Sequence, residues 1–197
     1  MKILEKVSER VMVAEFLRAE IDSPRWGANI LSRLNMDGRS REVVDNPNLL
    51  DDGESNYRAR LLAFRGYRNQ AVFYGFPEAV QWYKILMTHI DLENALVMNS
   101  APWPEFSGGT RLAGDTSRNF QTGKINHAVL SDIKATSDLL KEGYILAKLI
   151  LVGEGLERPL VILEGHVRAM AILQSDVGKE VRTIVGLSPK MHRWVFY

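Results

Sequence analysis

Apolar residues at Leu4, Val7, Val11, Ala14 and Leu17 recur every three or four positions with charges between them, which predicts an amphipathic helix over 4–21. Ser23-Pro24 then places a capping hydroxyl before a proline at a first helical position. A second helix is expected from there, through Trp26, Ile30, Leu31 and Leu34. Residues 35–55 are dense in Asn, Asp, Gly and Pro and read as a long loop. A third helix is expected over 56–64, stopping near Gly66. A fourth opens at Pro77 and runs through Val80, Trp82, Tyr83, Ile85 and Leu86 to about residue 90.

Beyond residue 91 the pattern changes. Residues 95–98 form a short apolar run of strand length, and 101–123 are rich in Pro, Ser, Gly and Thr. A helix over 126–142 carries Val129, Ile133, Leu139 and Leu140, with Gly143 at the expected stop. Residues 145–152 and 160–163 read as strands joined through Gly153-Glu154-Gly155, and 165–173 as a helix that starts directly after the second strand. Residues 180–185 and 193–196 read as closing strands. The fold class expected is α+β: a helical amino-terminal region over 1–90, packed on a mixed α/β domain over 91–197.

Composition narrows the chemistry. Apolar residues at 46% supply an ordinary globular core. The absence of cysteine removes disulfides, thiolate metal sites and a cysteine nucleophile. A formal charge of +1 provides no global field for nucleic acid or an anionic membrane. The first residues are broken by charges, unlike a signal peptide, and the greasiest stretch, 144–153, is interrupted by Lys148 and too short to span a bilayer. A soluble cytoplasmic protein is expected. The four histidines are too scattered for a zinc site. His89 is expected at a helix carboxyl end and His127 at the surface. Lys190, His192 and Arg193 form a basic cluster beside Trp194, which suits an anion clamp or a solvated terminal strand. Arg58, Arg60, Arg65 and Arg68 read as solvated heads around an apolar helical stripe, and Trp26, Trp82 and Trp103 as core or cleft walls.

The most informative stretch is Arg158-Pro159-Leu160-Val161-Ile162-Leu163-Glu164-Gly165-His166-Val167-Arg168-Ala169. A strand, a glycine and a helix in that order can turn the amides of a helix amino terminus towards a phosphate. Gly165 permits close approach, and Arg168 in the first turn can clamp phosphate oxygens. The competing reading is a tight turn with a solvated arginine. A second polar group, Glu105-Phe106-Ser107-Gly108-Gly109-Thr110-Arg111, offers consecutive amides, two hydroxyls and a guanidinium, or simply a glycine turn.

The segment from Pro159 to Ala169 resembles the phosphate-binding box of the ParB/sulfiredoxin-like superfamily. In that family a helix ending in glycine precedes a strand opening on proline, then an acidic or small residue, Gly, His or Arg, and an Arg-Ala helix. The resemblance covers about 91–197. Sulfiredoxins carry a cysteine where His166 stands, so their chemistry is excluded here. The partition proteins follow the box with a helix-turn-helix module, for which the tail from Val177 to Tyr197 has no room, arguing against DNA as a partner. The free serine kinases, which have an acidic-Gly-His box, are the most similar branch. Glu164 stands where they usually have aspartate, and Val167 where they have a second histidine.

The resemblance implies a nucleotide-dependent phosphotransferase acting on a small hydroxyl-bearing metabolite such as an amino acid, with ATP or ADP and Mg²⁺. On that reading Ser107, Thr110, Arg111, Gly165, His166 and Arg168 bind the nucleotide. Glu164 holds Mg²⁺ or orients the acceptor, His166 supports the leaving group, and Glu105, with Asp115 as the fallback, takes the hydroxyl proton. The other class left open is a non-catalytic nucleotide-binding or DNA-associated regulator. A third reading is an enzyme that uses this fold for other chemistry, with the helical half supplying a specificity lid through 35–55.

Overall fold

The first residues of the chain are extended, not helical. Lys2–Val7 forms strand β1, and Ser8, itself extended at φ −80° and ψ 160°, is the N-cap of helix α1, Glu9–Glu20. The run through Leu4, Val7 and Val11 therefore straddles a strand and a helix, and its helical spacing is accidental. The computed structural model describes residues 1–68, 70–175 and 180–197. The start of the tail at Val177 lies outside the described residues.

Helix α2, Gly27–Met36, follows, three residues later than Ser23-Pro24 announced, with Trp26 as its N-cap. The expected loop over 35–55 contains a short helix α3, Glu42–Asp45, and the start of α4, Asp52–Leu62. Asp51 caps α4 by accepting from the Glu54 amide, at 2.8 Å. A 3₁₀ turn over Ala63–Arg65 then ends at Gly66, in the left-handed region at φ +85°.

The larger correction concerns Pro77 to residue 90. Gln81–Thr88 is a strand, β2, and only His89–Glu93 is helical, as α5. Thr88 and Asp91 cap each other's amides at that start, so His89 sits at a helix amino end and not a carboxyl end. Trp82 points to one face of β2, and Ile85 and Met87 to the other. A strand covered on both faces loses its polar alternation, and its apolar run then fits a helical template equally well.

Residues 95–98 contribute a single bridging residue, Leu96, bonded to Leu160 and Ile162, instead of a strand. The stretch 101–123 holds two helices, α6 at Trp103–Phe106 and α7 at Ala113–Gln121. Then come α8, Val129–Lys141, with Gly143 left-handed after it; β3, Leu149–Gly153; β4, Val161–Glu164; α9, His166–Gln174; and β5, Glu180–Leu187. Residues 193–196 do not form a strand: a 3₁₀ turn over Met191–Arg193 delivers Trp194 into the core, where its indole N–H donates to the Val72 carbonyl at 2.7 Å.

The strands make one mixed sheet in the order β1-β2-β5-β3-β4. Pairing is antiparallel except between β3 and β5. Trp82, Ile150, Val152, Leu163 and Ile184 pack with Met12, Phe16, Leu17, Ile30 and Leu62 on one face. Ile85, Leu149, Leu151, Ile162 and Val185 pack with Phe120, Ile133, Ala169 and Met170 on the other. The fold is α+β, with the earlier helices on one side of the sheet and the later ones on the opposite side. The first ninety residues are not purely helical, because they supply β1 and β2 to the sheet that β5, β3 and β4 continue. Among the described residues no helix is long and apolar enough to cross a membrane.

Candidate anion site at the β4–α9 turn

The turn between β4 and α9 is built by an irregularity and a glycine. Opposite Ile150 and Leu151 of β3 stand Glu164 and Ile162, so Leu163 is the extra residue of a bulge. Directly paired residues share a face. Ile150 belongs to the core beneath the amino-terminal helices, so the bulge sends Glu164 towards that layer. Gly165 follows at φ +103° and is buried. A Cβ there would lie 2.7 Å from Leu149 Cδ2 and 2.9 Å from Arg168 Nη2, so the position excludes a side chain twice over.

Those distances also locate Arg168. Its side chain folds back across Gly165, and Nη2 reaches Glu164 Oε1 at 3.3 Å. Its Nε is buried with no acceptor among the described residues. The amides of residues 166–168 likewise have no backbone acceptor among them. Arg168, and none of residues 164–167, lines the two cavities beside this turn.

Burial pushes the Glu164 carboxyl above its ordinary value, against the opposing pull of Arg168. Glu20 adds to the rise, while Arg65 and Arg25 oppose it, so all three lie close enough to act on Glu164. Arg65 is held by Glu20 at 2.7 Å and stacks over the Trp26 ring at 4.6 Å. Arg25 is exposed and has no ion-pair partner among the described residues.

Two cavities of about 430 and 380 Å³ meet at Arg18, Arg168 and the segment 145–147. The first is polar: Arg18, Arg41 and Arg168 face it with Asp22 and Asp45. Arg41 is saturated by both aspartates, at 2.8 and 2.7 Å. Arg18 has no ion-pair partner among the described residues, which leaves it and Arg168 as the cations open to a ligand. The second cavity has Leu140, Ile145, Ile172 and Val181 as its apolar wall, with Lys148, Glu180 and Arg182 at its polar edge. Together they form a cleft with a cationic half and an apolar half, each within the usual range for small-molecule sites of about 300–1,000 Å³.

His166 lies outside that cleft. Its ring stacks on Trp103, with centroids 4.6 Å apart, and its Nε2 accepts the Met98 amide at 3.1 Å. Burial, then Arg168 and Arg25, push it down to about 3. It is a neutral imidazole with its proton on Nδ1. The Ser107 loop is occupied from within. Ser107 Oγ donates to Pro104 and accepts from the Arg111 amide, and Thr110 donates to Asp115 at 2.8 Å. Arg111 points to the carbonyls of Val97, Phe196 and Tyr197, where it ties down the last residues. Glu105 is exposed on α6 and lines neither cavity. The structure thus joins Glu164, Gly165 and Arg168, and leaves Glu105, Ser107, Thr110 and Arg111 apart from them.

Glu164 would be the carboxylate available here to a Mg²⁺ carried on the phosphates of a nucleotide. No group of three His, Asp or Glu side chains able to hold a metal exists among the described residues. Glu164 lies among Arg168, Arg65 and Arg25, with Glu20 as a second carboxylate close to it. Arg18, Arg25 and Arg41 carried no signal in the sequence, since nothing local distinguishes them from solvated charges.

No protein-family model, curated protein or solved structure matches the chain.

Proposed function

We propose that the cleft binds a nucleotide and that the protein transfers its terminal phosphoryl group to a small hydroxyl-bearing metabolite. One observation carries the reading: Arg168, with an unpartnered buried Nε, lies over the Gly165 turn and meets the free Arg18 where a cationic and an apolar cavity join. Phosphoryl transfer depends mostly on positioning and positive potential, which the guanidiniums of Arg18 and Arg168 supply. The apolar half suits a base and the cationic half its phosphates. The likeness of Glu164-Gly165-His166 to the free serine kinase box agrees with this.

When bound, a nucleotide supplies the electrophilic phosphorus. Arg18 and Arg168 bind and orient its charge. The acceptor oxygen forms the new P–O bond as the bond to the leaving nucleotide (ADP from ATP, or AMP from ADP) breaks, and Glu164 takes the hydroxyl proton. Its raised pKa makes it a better base than an exposed glutamate. Glu164 replaces Glu105 in that role because its carboxylate pairs with Arg168, the residue of the turn that lines both cavities. His166 supports the turn through Trp103 and Met98.

Calorimetric titration with ATP and ADP tests the binding. Loss of a charge-assisted contact in Arg168→Ala should weaken affinity by roughly 10- to 100-fold. Glu164→Gln should keep binding and lose transfer to a metabolite panel. Absence of nucleotide binding, or binding indifferent to Arg168→Ala, overturns the proposal.

A second reading, a non-catalytic nucleotide-binding or DNA-associated regulator, is favoured by the position of Glu105 outside the cleft. It predicts nucleotide binding with no turnover on any acceptor.

A further inference from the structure

A separate cavity of about 370 Å³ lies on the amino-terminal side of the molecule. Its walls are three mutually packed rings. Tyr67 meets Phe73 edge-on at 5.5 Å, and Phe73 meets Phe76 edge-on at 5.3 Å. Three charged side chains share the lining: Glu9, Arg68 and Glu78.

Two of these charges flank Tyr67. Glu9 and Arg68 both lie close enough to Tyr67 to act on its hydroxyl, and the Arg68 guanidinium stands over the Tyr67 ring at 5.6 Å. The carboxylate of Glu78 has no ion-pair partner among the described residues. Two carboxylates and one guanidinium leave the aromatic cavity one negative charge in excess. Ring faces carry the negative lobe of the aromatic quadrupole and attract cations. Arg68 demonstrates that attraction on one ring. The backbone holds that arginine at φ +67° and Ala71 at φ +42°, conformations that cost about 1–3 kcal/mol each and persist where the surroundings require them.

We infer that this cavity is a binding site for a small organic monocation of the ammonium type, its charge set against Phe76 and balanced by Glu78. Walls, size and net charge point to the same ligand class. An anion would meet two carboxylates, and a neutral guest would gain nothing from Glu78. The inference is independent of the cleft at Arg168.

Choline, its neutral isostere 3,3-dimethylbutan-1-ol, and butyrate serve as probes. Trp82 and Trp194 both pack on Phe76, so indole fluorescence reports occupancy and calorimetry gives affinity. Choline should bind saturably and about tenfold more tightly than the alcohol. Glu78→Gln, an exposed substitution compatible with folding, should weaken choline about three- to tenfold and leave the alcohol unchanged. No saturable choline binding, equal binding of choline and alcohol, tighter binding of butyrate, or indifference to Glu78→Gln would each overturn it.

Discussion

The Met98 amide donates to Nε2 of His166 at 3.1 Å, joining two residues 68 positions apart. That bond occupies the lone pair at which His166 would take up a second proton. Together with stacking on Trp103 it makes the imidazole a fixed part of the turn.

Its titration follows with a definite sign. In the unfolded chain the ring protonates near 6.5, whereas in the folded protein it does so only near about 3. Between those values the unfolded state binds more protons, so stability falls as pH falls from 6.5, by at most about 1.4 kcal/mol per pH unit from this group. Above 6.5 the contribution is fully present. Urea unfolding of the wild type and His166→Phe across pH 4–8 measures it. The variant should be less stable at pH 7 by about 1–3 kcal/mol, for the unpaired Met98 amide, with a shallower acid slope.

Glu164 has the opposite sign. Its folded pKa is raised, so the folded state holds the proton more tightly and stability is lost as pH rises through the folded value. Glu164→Gln should match the wild type near pH 4 and gain in melting temperature relative to it as pH rises towards 8. A gain that is the same at both ends of the range would refute the linkage.

Gly165→Ala should destabilise more than Gly143→Ala. Both glycines have positive φ, at +103° and +84°, and share a backbone penalty of about 1–3 kcal/mol. Only at Gly165 does the added methyl strike Leu149 and Arg168, while at Gly143 it meets open space. Denaturant midpoints give the difference, and nucleotide titration of Gly165→Ala should show weakened binding because Arg168 is displaced.

Arg58 is the buried cation of the amino-terminal layer. It is fully buried, in contrast to the solvated head expected of it, and donates to the carbonyls of Val43 and Asn48, to Ser55 and to Glu54. Arg58→Ala should cost about 3 kcal/mol, because it strands those acceptors together. A loss below roughly 1 kcal/mol in chemical denaturation would contradict that role.

Elements with local punctuation were legible from residues alone. Gly143 ends α8 and Gly165 opens α9, as the left-handed conformations of both require. The runs at β3 and β4 are short, branched and bounded by turn residues. β1 and β2 were misread because Leu4 to Val11 crosses an element boundary and β2 is apolar on both faces, so neither shows the period of two that marks a strand. Glu164, Gly165 and Arg168 lie together because they are neighbours in one turn, which local spacing alone foretells.

The sequence by itself determined the α+β class, the strand–glycine–helix turn and the absence of thiol chemistry, since these depend on local conformational preference and composition. Tertiary structure alone decided that Arg18 faces Arg168, that His166 and Arg111 serve the scaffold, and that three rings enclose a cavity beside Glu78. Charge and aromatic pairing act through space over a few ångströms. Residues separated by up to 150 positions of chain become partners only when the sheet brings the layers that carry them together.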